Sequence, residues 1–198
     1  MSKVIASELS GGAIANALSL LEKEASDSNT LKATINSFIT GTTETLVGPA
    51  YDAARAKAES YITILATRAR LANELSAAIS AAAGEMSAYM DGYSELDDSK
   101  LSEINSELNS INATINQIRY NYYNSQSDED SAPKTSAGYS SLVAPYVAQY
   151  NELTKLKEKL ENLAGADASA YGTLSSLSNE VSSYSTTVSS TTSASISV

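Results

Sequence analysis

A chain of 198 residues with 13 Lys and Arg against 23 Asp and Glu carries a formal charge of -10, and its length suits one large domain or two small ones. It contains no His, Cys or Trp, which removes Ser-His and Cys-His nucleophiles, the usual structural zinc sites, and disulfide or thiol redox chemistry. The acidic balance disfavours nucleic acid and anionic membrane surfaces as partners.

Ala supplies much of the apolar share and Ser and Thr most of the polar remainder, with nine Gly and three Pro in the whole chain. Such a composition favours long helices, so the fold class expected is all-α. The N-terminus lacks the apolar stretch of a secretory signal. No uncharged stretch is apolar enough over about 20 residues to span a bilayer. Membrane insertion by this chain is therefore not expected.

The N-terminal helix carries Ile14, Leu18, Leu21 and Ala25 at helical spacing, resumed by Leu31, Ile35, Phe38 and Ile39. Gly11 and Gly12 separate it from an earlier turn bearing Val4, Ile5 and Leu9. The second helix opens at Gly48-Pro49, since Pro suits the first helical position and Asp52 the positive end of the dipole. Its seam runs Tyr51, Ala54, Ala58, Tyr61, Leu65, Arg68, Ala72, Leu75, Ile79, Ala82, Met86, Tyr89 and Tyr93, broken only by Arg68. Gly84 inside it predicts close packing or a bend, and Asp91-Gly92 ends it.

The third helix is the most regular. Leu101, Ile104, Leu108, Ile111, Ile115, Ile118 and Tyr122 alternate spacings of three and four, a narrow seam of coiled-coil type. Residues 124–136 read as a mobile acidic loop. A fourth helix carries Tyr146, Tyr150, Leu153, Leu156, Leu160 and Leu163, with Gly165 as its stop. A fifth starts at Asp167 and carries Ala170, Leu174, Leu177, Val181, Tyr184 and Val188. Residues 1–184 thus form the helical domain and 185–198 a Ser/Thr-rich tail or linker.

Residues 49–91 as one helix would be roughly 64 Å long, against a diameter of roughly 40–45 Å for a compact chain of this size. The expected architecture is an elongated helical bundle or rod built on a long antiparallel helical hairpin.

Between the first two long helices lie Leu46, Val47 and Gly48, followed by Pro-Ala-Tyr-Asp-Ala-Ala and Arg55. A long helix, a short turn with Leu-x-Gly, then a helix opening on an aromatic residue and Asp resembles the LXG domain. LXG domains are the N-terminal targeting regions of bacterial type VII secretion toxins, distant relatives of the small WXG100 helical hairpins. The tripeptide also occurs at Leu9-Ser-Gly11 and Leu163-Ala-Gly165, so its placement between two long helices carries the resemblance. The resemblance implies small WXG100-like chaperone or adaptor proteins and the type VII secretion ATPase as partners. It also implies export from the bacterial cytoplasm without a signal peptide, and a toxin domain joined through the tail.

Tyr93 and Asp97 fit the Tyr-x-x-x-Asp/Glu export motif that WXG100-like proteins carry. Arg119, Tyr120, Tyr122 and Tyr123 resemble a base-stacking cluster, which the acidic balance disfavours. Asp128, Glu129 and Asp130 lack the ligand spacing and Gly of a calcium loop. No G-x-S-x-G, S-x-x-K or P-loop spacing occurs, so no catalytic, cofactor or metal site is expected and the chain reads as a non-enzyme. The rival reading is a self-associating coiled-coil segment of a bacterial surface or phage protein. A helical pore-former is disfavoured, since no hairpin tip is apolar enough to insert.

Overall fold

The computed structural model describes residues 3–124 and 135–193. In chain order these form β1 (Lys3–Ile5), α1 (Ala6–Leu9), α2 (Gly12–Thr42), α3 (Pro49–Tyr89), β2 (Glu95–Asp97), a 3-10 turn (Asp98–Lys100), α4 (Leu101–Asn124) and α5 (Ser136–Ser193). The fold is an all-α helical bundle, with one two-stranded ladder as its non-helical ornament among the described residues. Two compact units divide the chain, one containing β1 and Tyr89–Gly165, the other Ala6–Ala88 and the chain from Ala166 onward.

The unit containing Tyr89–Gly165 is built on α4 and the first half of α5. Ile104, Leu108 and Ile111 of α4 are buried, and so are Val143, Leu160 and Leu163 of α5. Every predicted seam residue of α4 is buried or half-buried, while the Ser, Asn and Glu between them are mostly exposed. β1 and β2 pair antiparallel with Val4 opposite Leu96, and both side chains are buried. Lys3 and Glu95 form an ion pair of 2.9 Å along the ladder. The sequence reading placed Val4 and Ile5 in a helical turn. A three-residue strand has no periodicity to reveal it, and its stabilisation comes from a partner more than ninety positions away.

The other unit holds α1, α2, α3 and the second half of α5. Leu65, Ala69, Leu71 and Ala72 form the buried centre of α3, with Ala25 and Ser28 from α2 and Ala166 and Leu177 from α5. Small residues at these positions let helix backbones approach closely. Along α2 the inward positions include Ile14, Leu18, Leu21, Ala25, Ser28, Lys32, Ile35, Ile39 and Thr42, an alternation of four and three, with Ala17 and Glu24 half-buried beside them. Leu31 and Phe38, read as seam residues, instead face outward. A heptad keeps its register through a Ser and a Lys, because breaking it would unseat every other position.

Three further expectations differ from what is found. Gly165 does not end a helix, and Asp167 does not start one: α5 is continuous from Ser136 to Ser193. An interior Gly costs about 1 kcal/mol, less than buried Leu163 and Ala166 on either side contribute. The tail expected from Ser185 is helical as far as Ser193, and residues 194–198 lie outside the described ones. Gly84 is exposed, with open space where a Cβ would stand, so of the close packing or bend expected there the close packing is not found. The acidic loop expected at 124–136 falls largely on residues outside those described.

Candidate functional site

The turn between α2 and α3 is built around one glycine and one arginine. Gly48 has φ +121°, a conformation that side chains with a Cβ strongly disfavour. Its carbonyl accepts from the backbone N–H of Tyr51 and of Asp52, both at 3.0 Å, which starts α3. Pro49 then occupies the first helical position, where its missing N–H costs nothing. Leu46 donates its N–H to the Thr42 carbonyl at 3.0 Å, closing α2.

Arg55, two helical turns into α3, reaches back over this turn. Its guanidinium donates to the Leu46 carbonyl at 2.8 Å and to the Thr42 carbonyl at 3.2 Å, and pairs with the Asp52 carboxylate. The side chain is only 14% exposed. Thr42 is the last residue of α2 and Leu46 stands in the turn beyond it, at the negative end of the helix dipole, which favours a cation. Leu46 is half-buried, while Val47 points to solvent. Arg55 stands in the sequence motif, but its spacing there assigns it no role. The available signal was an arginine near a helix N-terminus, where the dipole opposes it unless another acceptor is present.

On α2, Leu20, Leu31 and Phe38 are 68%, 50% and 47% exposed. At about 100° per residue their directions fall within about 20° of one another. They stand in line along the flank of a helix whose packed face lies about 100° round, with the Lys23–Asp27 ion pair between Leu20 and Leu31.

Between α2, α3 and α5 in the same unit lies a polar layer. Glu24 pairs with Arg68, which explains the one charged residue in the α3 seam. Burial raises the Tyr184 phenol above its usual pKa, with Arg68 opposing and Glu24 adding to the shift. Arg70 spans Glu74 at 2.6 Å and Glu180 at 2.8 Å. The Ser28 hydroxyl is buried nearby in the α2 sequence, without a hydrogen-bond partner.

Tyr93 and Asp97 belong to the other unit and do not lie one turn apart on a helix. Tyr93 sits in the turn after α3, its N–H donating to the Met90 carbonyl at 2.7 Å, with the Lys159 ammonium 4.8 Å from its ring centre. Asp97 ends β2 and caps the 3-10 turn, accepting from the Ser99 N–H at 2.9 Å. Hydrogen bonds from Ser99, its hydroxyl first and then its N–H, hold the Asp97 carboxyl below the usual carboxylate range. Both residues thus have local structural partners, and the segment joining them is extended.

Among the described residues no group of three or more His, Cys, Asp or Glu side chains is placed to hold a metal ion. No helix among them is long and apolar enough to cross a membrane. Comparison of the chain with protein-family models, curated proteins and solved structures finds no match.

Proposed function

We propose that this chain is the targeting domain of a type VII secretion effector, resembling an LXG domain, and acts by packing its helices against small helical partner proteins. The observation that carries this reading is the exposed line of Leu20, Leu31 and Phe38 along α2. Anchors spaced along one helix face are what a partner helix needs for ridge-into-groove recognition. The Leu46, Val47 and Gly48 turn adds support, because its glycine and its Arg55 clamp hold a defined corner between two long helices. Glu24 and Arg68, joined by an ion pair, stand equally far before and after Leu46, as a helical hairpin would require. WXG100-like adaptors are the partners the resemblance supplies, followed by the secretion ATPase, and export would proceed without a signal peptide. No catalytic role is assigned to these residues.

Light scattering after size exclusion, with and without co-expressed small helical hairpin proteins of the same host, tests the reading. The expected result is a stoichiometric hetero-complex that Leu20→Glu with Phe38→Glu abolishes while far-UV helicity is kept. A homo-oligomer that ignores those proteins would replace this proposal with the self-associating coiled-coil reading, which would bury the same apolar line between copies.

A further inference from the structure

In the unit that holds α2, α3 and the second half of α5, residues 181–191 of α5 form a helix that their own sequence does not favour. Every one of them is Ser, Thr, Val or Tyr, with no Ala, Leu, Met, Gln or charged side chain among them. These types rank low in helix propensity, and Val and Thr prefer extended backbone. An isolated helix of this length is marginal in water even when built of Ala. The hydroxyls of Ser182, Thr186, Thr187, Ser189 and Thr191 donate to the carbonyl four positions back, a competition that weakens a helix slightly.

Burial holds this stretch only lightly. Tyr184, Val188 and Thr191 are half-buried and every other position is exposed, whereas Leu160 and Leu163 earlier in the same helix are enclosed almost completely. It lies along a face of α3 made by Lys57, Ser60, Ile64, Thr67 and Leu71, at alternating spacings of three and four. That face is half polar, and a cleft of about 250 Å³ opens between Ile64 and Thr67 on one side and Ser183, Tyr184 and Thr187 on the other. Contact of this kind lacks the close packing of a core.

Charged ties sit at its two ends. Arg70 of α3 donates to the Glu180 carboxylate at 2.8 Å, just before the stretch begins, and both side chains are exposed. Lys57 of α3 donates to the Thr191 carbonyl at 2.8 Å, placing a cation at the negative end of the helix dipole. Exposed ties of this sort contribute little in water and are screened by salt.

We propose that residues 181–191 are an order–disorder strap, helical only while they lie on this face of α3 and melting as one unit when they lift. Lifting loses few apolar contacts and two screened ties, so it costs little. Once detached, the stretch has neither the propensity nor the length to stay helical, so docking and folding are a single step. Release bares Ile64 on α3, which lines the cleft under the strap. The strap is thus a built-in cover whose hold is set by the Arg70 and Lys57 ties and by its own poor propensity.

The test is amide hydrogen exchange of the full chain, resolved residue by residue by NMR. At about 50 mM salt the amides of the strap should share one opening, at least about 100-fold more frequent than that of residues 156–163 in the same helix. Salt at about 0.5 M, or Arg70→Gln at low salt, should make that opening about two- to fivefold more frequent across the whole strap. Residues 156–163 should not respond to Arg70→Gln. Ser182→Ala with Ser185→Ala and Thr186→Ala, all at exposed positions, should make the opening at least about fivefold rarer, because helix propensity is what they change. Protection equal to that of residues 156–163 would mean a permanent helix and overturn the proposal. Protection that falls off gradually along the strap and ignores Arg70→Gln would mean ordinary fraying, and would overturn it too. So would an opening unchanged in the triple alanine variant.

Discussion

The Arg55 guanidinium donates to the Leu46 carbonyl at 2.8 Å. That bond ties the second turn of α3 to the corner that precedes it. It also gives a nearly buried cation a helix C-terminus to neutralise. The turn is therefore held from inside the unit, and Val47 is left free on the outside.

Arg55→Ala should cost about 1–3 kcal/mol in urea unfolding, because two carbonyls lose a charged donor and a packed side chain is removed. Arg55→Lys should recover less than half of that, since one ammonium cannot reproduce a planar fork with one nitrogen on the Leu46 and Thr42 carbonyls and the other on the Asp52 carboxylate. Equal stability of the lysine variant and the parent would show that charge alone matters.

Gly48→Ala should cost about 1–2 kcal/mol through backbone strain alone, since φ is +121°. No atom lies within 4 Å of where the Cβ would be. Gly48→Val should cost somewhat more while leaving far-UV helicity nearly intact, because both helices extend far beyond the turn. On the proposed function, the valine variant also loses export in a host with an active type VII machine. An alanine variant as stable as the parent would mean that the positive φ is not required.

How much of this was legible follows from what each residue's neighbours are. The α4 seam from Leu101 to Tyr122 was readable because polar residues fill the gaps and nothing competes for register. On α2 the pattern misled: Leu31 and Phe38 are apolar but outward, while Ser28 and Lys32 hold inward positions. Hydrophobicity reports what a residue prefers, and a heptad already fixed by Ile14, Leu18, Leu21 and Ala25 overrides it. Gly165 looked like a stop because its cost is local, whereas the burial of Leu160, Leu163 and Ala166 that outweighs it is tertiary. The corner at Leu46, Val47 and Gly48 was found by its glycine. The role of Arg55 was not, since its acceptors are backbone atoms that only the folded turn brings within reach.

Ser28→Ala tests the misread stretch of α2. Ser28 is only 3% exposed, and its buried hydroxyl makes no hydrogen bond. Removing it deletes an unsatisfied polar group and leaves almost no cavity. The variant should be neutral or more stable by up to about 1 kcal/mol in urea unfolding. A loss above about 1 kcal/mol would show that the hydroxyl has a partner in solution.

Asp97 offers a test by pH. Its folded pKa lies below its ordinary value because Ser99 donates to the carboxylate, with Lys3 and Lys100 adding smaller favourable charge. A depressed carboxylate binds fewer protons when folded than when unfolded. Its contribution is therefore fully present above the unfolded pKa, near about 3.9, and is lost as pH falls through the lower folded value. Asp97→Asn keeps an oxygen to accept from the Ser99 N–H but cannot titrate. The stability gap between parent and variant should be constant from about pH 7 down to about pH 5 and close below about pH 4. Thermal melts across that range decide it. Parallel curves from pH 7 to pH 2 would mean that the carboxylate's charge does not support the cap. In that case the 3-10 turn, and the β2 strand it follows, would be held by the Asp97 oxygen as a neutral acceptor.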